Sequence, residues 1–378
     1  MKIVILGSAH PLRGGLASYN ERMAREFISQ GHDVEIYTFS LQYPEFLFPG
    51  TTQYSDEPAP GDLKIHVSVN SINPLNWLKV GKEIAALNAD LMIVKFWLPF
   101  MAPCLGKISR IVKSNGKTRV VSILDNVIPH EKRLGDRILA QYFVDSVDAF
   151  IAMSDSVLRD LKQFDTKKPC VFSPHPLFDN FGEVIPKSEA YKKIGLALNE
   201  ECLLFFGFIR DYKGLDLLLK AMADERMKKL NVKLIVAGEF YTDAKPYAEL
   251  IKELGIRDKL ILKTDFIPDS EVRNYFCAAD MVVQPYKHAT QSGVTQICYH
   301  FNRPMLVTNV GGLPEIVPHG KVGYVVEPNP IAIADALVDF YANHREFTMR
   351  DNIKVEKKKY AWSEMLNKIY EVAGLTNL

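Results

Sequence analysis

Lys2-Ile3-Val4-Ile5-Leu6 runs into Gly7-Ser8-Ala9-His10-Pro11-Leu12-Arg13-Gly14-Gly15, and then into an amphipathic stretch that ends at Gly31. Residues 3–6 are apolar and mostly β-branched, and residues 7–15 favour a loop. Residues 16–30 have helical spacing and stop at a glycine, as helices often do. Strand, loop and helix in that order open a βα unit. The alternation continues, with strands expected at residues 33–39, 65–69, 91–94, 119–123 and 149–152, and helices at 74–88, 101–114, 132–146 and 154–164. Short apolar strands between amphipathic helices predict a parallel sheet covered on both faces.

Residues 172–187 break this rhythm with Pro174, Pro176, Gly182 and Pro186, and read as a linker. The alternation then restarts. Strands are expected at 202–206, 232–237, 259–262, 281–284 and 305–308, and helices at 215–223, 243–255, 269–278, 293–301 and 331–344. The expected fold class is therefore α/β, with two facing doubly wound, Rossmann-like domains and a cleft between them as the default ligand site. Near the end, Trp362, Met365, Leu366, Ile369 and Tyr370 recur at helical spacing and read as the buried stripe of a packing helix.

Composition narrows the function classes. A chain of 378 residues suggests two or three domains, at roughly 100–200 residues each. Its 47% hydrophobic and 24% charged residues argue against disorder, and a net charge of +1 argues against a nucleic-acid partner. The most apolar charge-free run, residues 96–106, contains Pro99 and Pro103 and falls short of the ~20 residues of a membrane span. Residues 3–6 are too short for the core of a signal peptide. The five cysteines are scattered without a CxxC pair, and read as free thiols of a reducing cytosol.

Five segments carry candidate chemistry. The first is the loop at 7–15, where Gly14 and Gly15 allow backbone N–H groups to approach an anion at a helix start; it is not a GxGxxG fingerprint. The second is Phe206-Gly207-Phe208-Ile209-Arg210-Asp211-Tyr212-Lys213-Gly214, where two cations beyond a strand suit a diphosphate. In Gln284-Pro285-Tyr286-Lys287-His288-Ala289-Thr290-Gln291-Ser292-Gly293-Val294, Ser292 can cap a helix whose first amides cradle an anion. Gly311-Gly312-Leu313-Pro314-Glu315 is a tight turn presenting a carboxylate. In residues 124–133, Asp125, His130 and Glu131 are possible general bases. Taken singly, each reads at least as well as a turn, a capped helix or solvated charge. No HExxH and no Cys/His cluster occurs, so no metal site is expected.

In combination, order and spacing, these segments resemble the family 4 glycosyltransferases (glycosyl transferases group 1), of GT-B architecture, over nearly the whole chain. Ala237-Gly238-Glu239 and the closing helix with Trp362 add to the resemblance. It implies an acceptor-binding domain at 1–178, a nucleotide-sugar-binding domain at 179–357, and a final helix, 358–378, packing back on the first. Arg210 and Lys213 then look like the pair that neutralises the leaving diphosphate. Gly14 and Gly15 look like the loop beside the donor phosphate or the acceptor, and the resemblance puts either Asp125 or His130 near the sugar. Gly207, Glu239, Phe266, Ile267, His288, Gln291, Ser292, Gly293, Val294, Gln296 and Glu315 complete the implied substrate-binding set. One departure stands out: many members carry two glutamates separated by seven residues, and here Gln296 takes the second position, with His288 or Gln291 at the first.

The implied activity is retaining, metal-independent hexosyl transfer from a UDP- or GDP-linked sugar to a glycan or lipid-linked acceptor, with no cofactor. A cytoplasmic place in polysaccharide or cell-envelope biosynthesis goes with it. A non-catalytic nucleotide-sugar-binding protein and a sugar-nucleotide epimerase are the alternatives on the same plan. Aromatic residues at 96–101, with Lys107, Arg110 and Lys113 along the next helix, suit peripheral contact with an anionic membrane. Tyr43, Phe46, Phe48 and Tyr54, within the irregular residues 41–62, suit an acceptor sugar.

Overall fold

The computed structural model describes residues 1–44, 52–128, 134–197, 200–289 and 292–375. The chain forms two compact units, Met1–His175 together with the chain from Trp362 onward, and Pro176–Ala361.

The first unit is built on β1 (Lys2–Leu6), β2 (Asp33–Leu41), β3 (Lys64–Asn70), β4 (Leu91–Phe96), β5 (Arg119–Leu124), β6 (Ala149–Ala152) and β7 (Cys170–Phe172). They form one sheet in the order β3-β2-β1-β4-β5-β6-β7, with every pairing parallel. Ile3, Val4, Ile5 and Leu6 are fully buried, because a central parallel strand has helices over both faces and leaves no polar side. The helix Trp362–Ala373 belongs to this unit. Its apolar stripe is buried, with Trp362 against the Tyr19 ring at 5.1 Å and the Tyr370 hydroxyl 2.9 Å from His32 Nε2.

The second unit is built on β8 (Glu201–Phe206), β9 (Val232–Ala237), β10 (Leu260–Lys263), β11 (Met281–Gln284), β12 (Met305–Thr308) and β13 (Gly323–Val326). Their order is β10-β9-β8-β11-β12-β13, again parallel throughout. In each sheet the chain starts at the middle, winds to one edge, and then restarts on the other side. The order reverses between β1 and β4 and between β8 and β11. Loops at the carboxyl ends of such strand pairs are where open α/β sheets bind ligands.

Among the described residues two strands, and helices including Lys187–Ile194 and Glu346–Glu356, go beyond the sequence pattern. β7 lies partly in the proline-rich stretch expected as a linker; three residues carry little local signal, and the strand exists because Cys170, Val171 and Phe172 pair with Phe150, Ile151 and Ala152. β13 begins at Gly323, a residue that strands disfavour. Here a Cβ would overlap the Met305 carbonyl, so the glycine is required by the approach of β12. The helices Lys187–Ile194 and Glu346–Glu356 complete the second unit. Among the described residues no helix is long and apolar enough to cross a membrane.

Candidate functional site

β8 ends at Phe206, and the loop beyond it is shaped by three glycines. Gly207 (φ 96°) leaves room for Lys213, whose Nζ would stand 2.9 Å from a Cβ there. Gly238, just past β9, sits against the Gly207 carbonyl with no room for a Cβ. Ile209 N donates to Glu239 O at 2.8 Å, and Tyr241 N to Ile209 O at 2.9 Å. The Ala237-Gly238-Glu239 motif thus splints the cationic loop. A single 3-10 turn, Asp211–Lys213, then leads through Gly214 (φ 68°) into the helix Leu215–Met222. A Cβ on Gly214 would overlap the Pro285 carbonyl oxygen, so this loop is pressed onto the one after β11.

Two cations result. The Arg210 guanidinium lies 5.1 Å from the Tyr241 ring centre and the Lys213 ammonium 5.6 Å from that of Tyr286. Among the described residues neither makes an ion pair, whereas the neighbouring Lys287 pairs with Asp216 at 2.8 Å. Burial, reinforced by Arg210, pulls the Lys213 ammonium down to about 8. Two cations with no carboxylate partner among the described residues repel each other, and a multivalent anion such as a diphosphate would relieve that repulsion.

Across the switch point, buried Tyr286 places its hydroxyl 3.3 Å from Ser292 Oγ. Ser292 caps the helix Gly293–His300, accepting from Val294 N at 3.2 Å. A Cβ on Gly293 would stand 2.6 Å from Phe178, so glycine lets that ring seat on the helix start. Gln296 is fully buried, and neither atom of its amide is hydrogen-bonded among the described residues. His288 and Glu315 are exposed. Phe266 and Ile267 follow β10, the edge strand two places from β8. His130, Glu131 and Gln291 lie outside the described residues.

In the first unit, Gly14 (φ 101°) and Gly15 start the helix Gly15–Ser29. The loop before them is tied to that helix by Asn20, whose Nδ2 donates to Ser8 O at 2.8 Å. Asp125 follows β5, its N donating to Phe96 O at 2.9 Å. Its carboxylate lies 3.2 Å from the ammonium of Lys95, a residue of β4 with only 2% side-chain exposure. Lys95 Nζ also sits 3.4 Å from the centre of the Tyr19 ring. Burial pushes Asp125 up and Lys95 down, and each opposes the shift of the other; burial, with Asp125 alongside, lifts the Tyr19 hydroxyl well above its ordinary range.

The model of Glycosyltransferase Family 4 matches residues 13–178, and that of Glycosyl transferases group 1 matches residues 200–343. The chain belongs to the family 4 glycosyltransferases. Its two parallel sheets are those of the GT-B fold. It is similar to an uncharacterized glycosyltransferase of Methanocaldococcus jannaschii, 30% identical over 48% of this chain and 47% of that one, so the aligned part spans about half of that relative. A D-inositol 3-phosphate glycosyltransferase of Corynebacterium diphtheriae is 23% identical over 96% of this chain and 90% of that one. Among solved structures, the Anabaena protein HepE in complex with UDP and glucose superposes with a TM-score of 0.74 at 16% identity, over 99% of each chain.

Within this family 4 glycosyltransferase, several residues of the site carry no motif. Tyr286, Tyr241 and Tyr19 do not stand out in the sequence because tyrosines are common in cores. Lys95 has a usable signal, a lone cation inside the apolar run Leu91–Phe96. Residues 96–101, the aromatic part of the membrane expectation, are largely taken up in packing. Phe96 and Met101 are fully buried, and Trp97 and Phe100 pack on the core. Arg110 donates to Tyr142 O at 2.8 Å, and Lys113 pairs with Asp148 at 2.7 Å, so these rings and two of the three cations serve packing. Tyr43 likewise packs on the core, its hydroxyl accepting from Trp97 Nε1 at 2.6 Å. Tyr54 is partly exposed, and Phe46 and Phe48 lie outside the described residues.

Proposed function

We propose that this chain transfers a hexose from a UDP- or GDP-linked sugar to a glycan or lipid-linked acceptor, with retention and without a metal or other cofactor. The observation that carries the reading is the Arg210–Lys213 pair, two cations without a carboxylate partner among the described residues, at the carboxyl end of β8. Cleaving the bond from the anomeric carbon to a diphosphate oxygen builds negative charge on the leaving oxygens. Arg210, Lys213 and the amides that start the helix Gly293–His300 supply donors and positive charge for it. The bound UDP and glucose of the Anabaena neighbour support a nucleotide-sugar donor, and the D-inositol 3-phosphate glycosyltransferases support a sugar-like acceptor. In this reading the second unit takes the donor, with Gly207, Glu239, Ser292, Gly293, Val294 and Gln296 as contacts. The first unit takes the acceptor, with Gly14 and Gly15, and a role in envelope polysaccharide synthesis accompanies it.

The test is a panel of UDP- and GDP-linked sugars, with and without candidate glycan acceptors and with EDTA, read by released nucleotide and by product mass. Transfer that survives EDTA is the expected result. Nucleotide binding without any turnover of the panel would instead indicate a binding protein.

A further inference from the structure

Packing alone gives no reason for Lys95 in β4. Leu91, Met92, Ile93, Val94 and Phe96 of the same strand are all fully buried. Met92, Val94 and Phe96 face one side of the sheet, so Lys95 shares the other with Leu91 and Ile93. A methionine there would fill the same space without removing an ammonium from water, and replacing buried ion pairs by apolar residues is often neutral or stabilising. The ammonium is nevertheless held from two directions. The Asp125 carboxylate lies 3.2 Å away, and the Tyr19 ring 3.4 Å away on the helix Gly15–Ser29. Behind Tyr19 stand the His175 ring at 5.0 Å and the Trp362 ring at 5.1 Å, the latter covered by Arg22. The Tyr19 hydroxyl makes no hydrogen bond among the described residues.

We propose that Lys95 is a positioning residue, its ammonium clamped between the Tyr19 ring and Asp125 so that the Asp125 carboxylate is presented to a sugar hydroxyl as an oriented hydrogen-bond acceptor. This rests on the transferase reading and deepens it by assigning the sugar contact to Asp125 and its support to Lys95. The geometry explains why a charged pair persists where an apolar pair would pack. Asp125 stands at the carboxyl end of β5 with 16% of its side chain exposed, while Lys95 is sealed beneath it. Without the ammonium, a carboxylate in that place would take up a proton more readily, and a neutral carboxyl is a weaker acceptor.

The experiment is a cycle of Lys95→Met, Asp125→Asn and the double variant, with UDP-glucose and GDP-mannose as donor probes. Both substitutions keep size and remove charge. All three variants are expected to lose kcat by roughly 10- to 100-fold, the loss of one hydrogen bond to a charged group, with the nucleotide Kd unchanged. The double variant should be no worse than either single one. If the pair is merely structural, the double variant recovers wild-type kcat along with its melting temperature, and the proposal fails. A readout independent of turnover is the carboxyl 13C shift of Asp125, assigned from Asp125→Asn. Its midpoint should rise by more than about one pH unit in Lys95→Met and stay in place in Lys95→Arg; an unmoved midpoint in Lys95→Met overturns the proposal. Should Lys95→Met not fold, the midpoint is read in Tyr19→Leu, which frees the ammonium, and an unmoved midpoint there counts against the clamp. Wild-type protein that binds UDP but turns over neither probe would count against the transferase reading, while the 13C titration would still decide the clamp.

Discussion

Gly214 stands so close to Pro285 that a side chain on it would overlap the Pro285 carbonyl oxygen. This contact joins the loop after β8 to the loop after β11, the two sides of the switch point, and sets where Lys213 stands relative to Tyr286. Gly214→Ala should therefore damage both fold and site. A non-glycine residue in the left-handed region costs about 1–3 kcal/mol, and the overlap with backbone adds to it. The expected result is a lower denaturation midpoint together with weaker UDP binding in titration calorimetry.

Arg210→Ala and Lys213→Ala should separate activity from stability. Losing one preorganised donor to a developing anion costs roughly 10²–10³ in rate. Neither side chain is ion-paired among the described residues, and each repels the other, so the melting temperature of the nucleotide-free protein should hold steady or rise. Equal rates in wild type and both variants, with folding intact, would remove the pair from the mechanism.

The lowered Lys213 gives a pH signature. Its ammonium titrates near 8 in the folded, nucleotide-free protein, against an ordinary value of 10.5. Between these values the unfolded chain binds more protons than the folded one, so the contribution of this group to stability rises with pH. A bound diphosphate would raise the folded value again, and binding therefore takes up a proton. UDP affinity should fall as pH rises above about 8 and lose that dependence in Lys213→Ala. Calorimetry in buffers of different ionisation enthalpy reads the proton directly.

Trp362 ties the end of the chain to the first unit. It is 3% exposed and lies against Tyr19, with Arg22 over its ring at 5.2 Å. Trp362→Ala should cost about 3–5 kcal/mol, as other buried aromatic truncations do. Urea denaturation should show the loss in the transition of the first unit, with UDP affinity retained.

Much of this protein is legible in the residues alone, and the reason is local. Apolar runs such as Ile3–Leu6 and Val232–Ala237 carry their own strand signal. Gly31, Gly255 and Ser292 mark helix ends, and the order of the segments points to the family. Pairwise relationships are not legible, because they depend on which strands become neighbours. Nothing near Gly214 in the chain announces Pro285, and Cys170–Phe172 is a strand only beside β6. Arg210 and Lys213 can be named as cations from the sequence, but their lack of a carboxylate partner among the described residues is a fact of three-dimensional placement. Lys95 and Asp125, thirty residues apart, become one buried charged unit only because β4 and β5 lie side by side in parallel, with Lys95 in register with Ile123. A chain encodes its strands residue by residue through side-chain chemistry; which charges face each other is decided when backbone pairing brings distant strands together and packing removes the water between them.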